Sequence, residues 1–300
     1  MKTGLKPVLW SVLALVTLLM LIIPGLNLPA LWFVMVPFVV LYATLSPLSF
    51  AIHVIPVVAI AGLIGDFSMV FIALFFIVPA IVIGHLYQKG ASAGKVIRLA
   101  AVTLLAVIML ELLLFKVILN FSLLDEIGMY IRTMFDDLMS QNLLVPQWNS
   151  DMTDSFISIL MNLLPLSFIM ISYMYAVITH FIARRILNKQ GMEIAAFPKA
   201  KEWRLPRVLV FYFLIVYIAE IFIDPTSSSF IVVALMNLVP LLSYVFTIQA
   251  IGLFFFIADQ RGWHRAVPLL LTIPLLMFPP LSFIGVLDTA FPIRKAFTKS

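Results

Sequence analysis

The chemically expensive residues of this chain are the ionisable ones that fall inside apolar runs. Glu111 lies well within the run 96–121, and Lys116 follows it in the same run. A charge near the centre of a membrane-spanning helix costs about 2.5–3.5 kcal/mol on insertion scales, so each such residue is a candidate for function. At 100° per residue Lys116 is turned about 140° from Glu111, so the two do not pair on one helix face. Glu111 therefore needs a proton, a ligand or a partner on another helix, whereas Lys116 can extend its stem toward the interface. Glu220 and Asp224 stand four residues apart near the end of another run, where one helix face brings them together. Two carboxylates at that spacing can hold a cation or share a proton, although Asp224-Pro225 reads equally as a helix terminus entering a turn. Glu111, Lys116, Glu220 and Asp224 form the candidate ligand-binding set of a polar pocket. The competing reading for Glu111 is a protonated or hydrogen-bonded packing residue.

Other chemistry finds little footing. The chain has no cysteine, which removes disulfides, thiolate ligands and cysteine nucleophiles. His53, His85 and His180 are scattered at span boundaries with no carboxylate at ligand spacing, so neither a metal site nor a cofactor is expected. No H-E-x-x-H, G-x-S-x-G, P-loop or G-x-G-x-x-G motif occurs, and Gly65-Asp66 lacks the second intramembrane aspartate of a protease dyad. The expectation is a protein that is not an enzyme. Asn162, Asn237 and Gln249 are expected to hydrogen-bond between helices, the usual work of amides in membrane bundles.

The elements that must position these residues follow from composition. Hydrophobic residues make up 63% of the 300 positions and charged ones 11%, against about 25% charged in ordinary soluble domains. Crossing about 30 Å of hydrocarbon takes roughly 20 apolar residues, and the runs of that size are 7–26, 29–46, 48–64, 68–87, 96–121, 155–183, 206–223, 229–257 and 266–287. Backbone groups cannot go unpaired in lipid, and no run alternates as a barrel strand does. The fold class is all-α, a polytopic transmembrane helical bundle with eight or nine spans and one amphipathic outer helix. That helix is 123–139, where Leu124, Ile127, Ile131, Met134, Phe135 and Leu138 share a face and Asp125, Glu126, Arg132, Asp136 and Asp137 take the other. It reads either as a lid or as an interfacial connector.

Of the 19 basic residues, all but Lys116, Arg132, Arg294, Lys295 and Lys299 fall on one side when the N-terminus is cytoplasmic. Nine crossings would leave Arg294, Lys295 and Lys299 outside, against that rule, so the stretch holding Pro274, Pro279 and Pro280 reads either as a span or as a broken hairpin returning to the cytoplasm. The expected organisation is a six-helix bundle over 1–187, a basic cytoplasmic loop over 188–205 and C-terminal membrane helices over 206–300. Arg184, Arg185, Lys199, Lys201, Arg204 and Arg207 dominate the loop and its margins and could dock a cytoplasmic protein or anionic lipid. The competing reading is that they only fix topology. The net charge of +5 is read as this topological bias and not as a nucleic-acid surface.

Pro206–Tyr212, Met236–Pro240, Gln249–Gly252 and above all Ile284-Gly285-Val286-Leu287-Asp288 followed by Pro292-Ile293-Arg294-Lys295 resemble the YybS-like family of bacterial predicted membrane proteins. The family is a domain of unknown function, so the resemblance implies a multi-pass protein of the bacterial cell membrane and no particular activity. It is also distantly similar to the substrate-binding components of energy-coupling-factor transporters, six-helix bundles that hold a vitamin-like ligand in an outward-facing pocket. The first span lacks the paired-alanine spacing by which those components dock their partner. The expected function is binding of a small or amphipathic ligand in an outward-facing pocket, as a transporter or transporter component. The alternative is a membrane scaffold that recruits a cytoplasmic partner through the basic loop.

Overall fold

The computed structural model describes residues 4–118, 120, 122–145, 147–223 and 229–298, and the regular elements among them are helical. They are α1 (Leu5–Met20), α2 (Asn27–Phe33), α3 (Met35–Thr44), α4 (Pro47–Gly65), α5 (Ser68–Gln88), α6 (Ala93–Ile118) and α7 (Leu123–Ser140). There follow α8 (Ser150–Asn162), α9 (Leu164–Lys189), α10 (Val208–Ile221), α11 (Phe230–Arg261), α12 (Ala266–Met277) and α13 (Ser282–Ala290), with short 3-10 turns at Ala200–Glu202, Pro279–Leu281 and Ile293–Phe297. Among the described residues, six stretches are long and apolar enough to cross a membrane: Asn27–Thr44, Pro47–Gly65, Ser68–Gln88, Ala93–Val117, Leu164–Lys189 and Phe230–Arg261. Helices α1, α10 and α12 are shorter apolar helices. Every run read from the sequence thus holds an apolar helix, as hydrocarbon requires of a backbone that has no water to bond.

Contacts group the chain into two bodies, residues 1–126 with 168–197 and residues 127–167 with 198–300. The divisions 1–187, 188–205 and 206–300 follow order along the chain, whereas the contact grouping assigns most of α7 and all of α8 to the body that holds α10 to α13.

The first body is built around α3, in which Met35 through Leu41 are all buried, and which packs on α1 and α5. Pro37 lacks the N–H that would bond the Phe33 carbonyl, and the helix is interrupted at Val34, one turn earlier. Helix α5 comes backbone-close to α3 at Gly84, where a Cβ would meet the Tyr42 Cβ at 2.9 Å and the Ala43 nitrogen at 3.1 Å. Ser46 caps α4, its hydroxyl accepting from the Ser49 N–H at 3.3 Å, with Pro47 preset in the first turn. Asp66 ends α4 at φ 70, and hydrogen bonds from the Ser68 side chain and amide hold its carboxyl below the usual carboxylate range.

In the second body, α7 is the amphipathic helix expected over 123–139. Its Phe135 stacks on Trp148 at 5.1 Å and meets Phe156 edge-on at 5.4 Å, and Arg132 pairs with Asp154 on α8. The run 155–183 does not form one element. Residues 150–162 fold as the separate helix α8, and the apolar span starts at Leu164. Pro165 has no N–H to continue the ladder there. The Asn237 side chain enters the gap, its oxygen accepting the Leu166 N–H at 2.8 Å and its nitrogen donating to the Asn162 carbonyl at 2.8 Å. Those are the two groups that an unbroken helix would have joined to each other.

The run 266–287 adopts the hairpin form. Helix α11 ends on Gly262 at φ 68, a left-handed cap. Helix α12 then runs back from that end and breaks at Phe278, and α13 returns. The register of the return is explicit: Gly285 lies on Phe246 and Ala250, Asp288 on Gln249, and Arg294 beside Gly252 and over Phe256. Helix α13 therefore runs parallel to α11. At 1.5 Å per residue the 12 residues of α12 reach about 18 Å, short of the roughly 30 Å of a hydrocarbon core.

Because the chain is free of cysteine, single cysteines report sidedness directly. Arg265→Cys and Thr298→Cys, flanking the hairpin, are expected to react with an impermeant maleimide from the same face of the membrane. Labelling from opposite faces would mean that 266–290 crosses.

Candidate functional site

The polar groups of the second body converge where α11, α13 and the segment 199–207 meet. The approach is possible because two glycines remove the side chains that would block it. A Cβ on Gly285 would sit 1.8 Å from the Phe246 carbonyl oxygen, and one on Gly252 would sit 2.9 Å from that of Ala200.

Asp288 and Arg294 are 2% and 3% exposed. Arg294 donates through Nε to both carboxylate oxygens of Asp288 at 3.0 and 3.1 Å, and through Nη2 to Oδ2 at 2.7 Å. Its remaining donors reach backbone, Nη1 to the Lys201 carbonyl at 2.7 Å and Nη2 to that of Trp203 at 2.9 Å. The guanidinium also lies 5.2 Å from the centre of the Phe256 ring. Gln249 joins the network from α11, its Nε2 donating to Asp288 Oδ2 at 2.5 Å and its Oε1 accepting the Leu205 N–H at 3.1 Å. A buried ion pair is tolerable only when its other lone pairs and protons are satisfied, as they are here. Lys201 pairs with Asp259 nearer the surface, at 2.8 Å.

Beside this network opens a cavity of about 290 Å³, lined by Arg204, Arg207, Gln249, Asp288, Arg294, Lys295 and the apolar Leu205, Phe291 and Pro292. Asp288 is taken up by Arg294, and Arg204 Nη1 lies 4.0 Å from its Oδ1 with more than half of the arginine side chain exposed. Arg207 and Lys295 are exposed. The cavity is thus concave and positively charged, the arrangement that concentrates anions.

The family model described as a predicted membrane protein, DUF2232, matches residues 8–289. The chain belongs to that family. "Uncharacterized protein YybS" of Bacillus subtilis (strain 168) is 22% identical over 300 residues, covering 96% of this chain and 95% of its own. No solved structure matches. In this DUF2232 member, Gln249, Gly252, Gly285, Asp288, Arg294 and Lys295, among the residues that carried the resemblance, form the network or line the cavity beside it, whereas Asn237 of Met236–Pro240 bridges the gap between α8 and α9.

The residues singled out for ligand binding are distributed over both bodies. Glu111 and Lys116 belong to the first body, Glu220 to the second, and Asp224 lies outside the described residues. Glu111 is half-buried and, among the described residues, makes no ion pair, while Lys116 and Glu220 are exposed. The basic set divides as well. Arg184 donates to the Ile194 carbonyl at 3.0 Å within the first body, Arg185 and Lys199 are exposed, and Lys201, Arg204 and Arg207 reach the network or the cavity. Asp288, Arg294 and Lys295 were legible only as a terminal motif, and Gln249 only as an interhelical amide. The signal that marks them is an aspartate closing an apolar run with an arginine six residues on.

Removing one partner strands a buried charge. Asp288→Asn or Arg294→Gln is expected to lower stability in detergent by about 3–5 kcal/mol, and the double variant by less than the sum. Lys201→Gln, at a partly exposed pair, should cost about 1 kcal/mol or less. Equal melting shifts for all three would show that the buried pair does not hold this end together.

Proposed function

We propose that this protein is a non-enzymatic, multi-pass component of the bacterial cell membrane that binds a phosphate-bearing anion on its cytoplasmic side, in the cavity between Arg204, Arg207 and Lys295. The carrying observation is the charge count at that cavity. Its buried carboxylate is neutralised internally, so three accessible cations face a space of about 290 Å³ with no acidic lining residue left to oppose a ligand. The cytoplasmic assignment follows from the gathering of lysine and arginine in the connecting segments, the bias that sets orientation in membrane proteins. With 266–290 as a hairpin, Arg294 and Lys295 fall at the same end of the second body as Lys201 and Trp203, which agrees with that bias. An acidic cytoplasmic protein recruited by the same basic surface is the scaffold form of this reading.

A second reading is the transporter one, with a small or amphipathic ligand in an outward-facing pocket. It is favoured by Glu111, a carboxylate in an apolar helix with no ion pair among the described residues. In a stabilisation screen of small amphipathic compounds, a hit lost in Glu111→Gln and kept in Arg204→Gln would support it.

For the leading reading the measurement is melting of the full chain in neutral detergent with inorganic pyrophosphate, against chloride at matched ionic strength. Ligand at a hundred times its Kd stabilises by about 2.7 kcal/mol. The expected outcome is a concentration-dependent upward shift that disappears in the Arg204→Gln, Arg207→Gln double variant. A shift of the same size in that variant would place the anion elsewhere, and no shift in the parent would remove the reading.

A further inference from the structure

The cavity sits at the start of an apolar helix. Arg207 immediately precedes α10, in whose first turns Val208, Phe211 and Tyr212 are exposed, and Phe291, a lining residue, is 58% exposed. Leu287, one turn before Phe291 on α13, is exposed as well. Trp203 and Tyr212 flank Arg204 and Arg207 in sequence, and aromatic residues of this kind are enriched at the boundary between headgroups and hydrocarbon. A soluble anion would need only the cations. Here Arg207 is followed at once by the exposed apolar residues of α10 and Phe291 lines the cavity itself, so charge and hydrophobic surface lie next to each other, as recognition of an anionic lipid requires.

We infer that the cavity seats the phosphate of an anionic phospholipid of the cytoplasmic leaflet, with Arg204, Arg207 and Lys295 around the headgroup and the acyl chains laid on Val208, Phe211 and Phe291. The inference rests on the anion reading above and names the source of the anion. The Asp288–Arg294 pair does not itself bind the lipid. It fixes α13 and the segment before α10 at the spacing that makes the three outer cations converge. Arg207 and Lys295 are exposed, and Arg204, more than half exposed, meets Asp288 only at 4.0 Å, so the hydrogen bonds between Asp288 and Arg294 do not depend on these three side chains.

The full-length protein in neutral detergent is titrated with phosphatidylglycerol, with phosphatidylcholine of the same acyl chains, and with soluble glycerol phosphate, reading bound lipid by native mass spectrometry and stability by melting. The expected result is retention and stabilisation by phosphatidylglycerol and not by phosphatidylcholine. At about fivefold per basic side chain, Arg204→Gln, Arg207→Gln, Lys295→Gln should weaken it roughly a hundredfold. Lys89→Gln, Arg185→Gln, Lys189→Gln, the same charge loss at exposed positions of the first body, should change it little. A further variant, Phe211→Ser, is expected to weaken phosphatidylglycerol severalfold and leave glycerol phosphate unaffected. Equal losses in the two triple variants would reduce the effect to overall charge and overturn the site. Glycerol phosphate bound through the three cations without any gain from acyl chains would overturn the lipid assignment and leave the anion reading standing. Binding of neither probe would end both.

Discussion

The buried ion pair between Asp288 and Arg294 is the constraint on which the second body depends. Two stretches far apart in sequence meet on it: the end of the hairpin with the turn that follows, through Asp288 and Arg294, and the loop before α10, through the carbonyls of Lys201 and Trp203. In a medium of low dielectric the attraction between two such charges is large, and so is the cost of leaving either one alone. The pair therefore acts less as a source of net stability than as a selector. Any arrangement that separates the hairpin from the loop takes the Lys201 and Trp203 carbonyls away from buried guanidinium donors of Arg294. The glycines are its precondition, since the 1.8 Å approach at Gly285 admits no side chain at all.

How far this was legible in the sequence depends on which physical rule was acting. The helices were legible because hydrocarbon leaves the backbone one local solution, and apolar run length reads it directly. The amphipathic α7 was legible for a similar reason, as its pattern is periodic within one segment. The break between α8 and α9 was not, although Pro165 was in view. What fixes it is Asn237, more than seventy residues on, and no local pattern links an amide on α11 to a gap at Leu163. The hairpin lay between these cases. Three prolines in an apolar run announce a break, but whether the chain then crosses or returns is decided by Gly285 against Phe246, a long-range contact.

The site shows the same division more sharply. Insertion cost singled out Glu111 and Glu220, because a carboxylate within an apolar run is conspicuous on its own. Asp288 closes its run and looks like a helix end, and Arg294 looks like a topogenic charge. Their significance is mutual. It exists only once the chain has folded back, which is why a family likeness reached those residues when the reasoning about isolated charges did not.

Two amides carry out related tasks in this body. Asn237 bridges a backbone donor and acceptor that a proline has parted, and Gln249 bridges the Leu205 N–H and the Asp288 carboxylate. Each amide has both a donor and an acceptor, so each can mend an interruption without adding a charge where a charge would be costly. By contrast, the full charges of Arg204, Arg207 and Lys295 sit where water or headgroups can reach them. The body thus places neutral amides at its backbone junctions, one buried ion pair where α13 meets the loop before α10, and exposed cations at its rim. Buried charge left over would have to be neutralised by the protein, whereas charge left over at the rim is available to something else. That difference is the physical reason for testing the basic cavity, and not the buried pair, for a ligand.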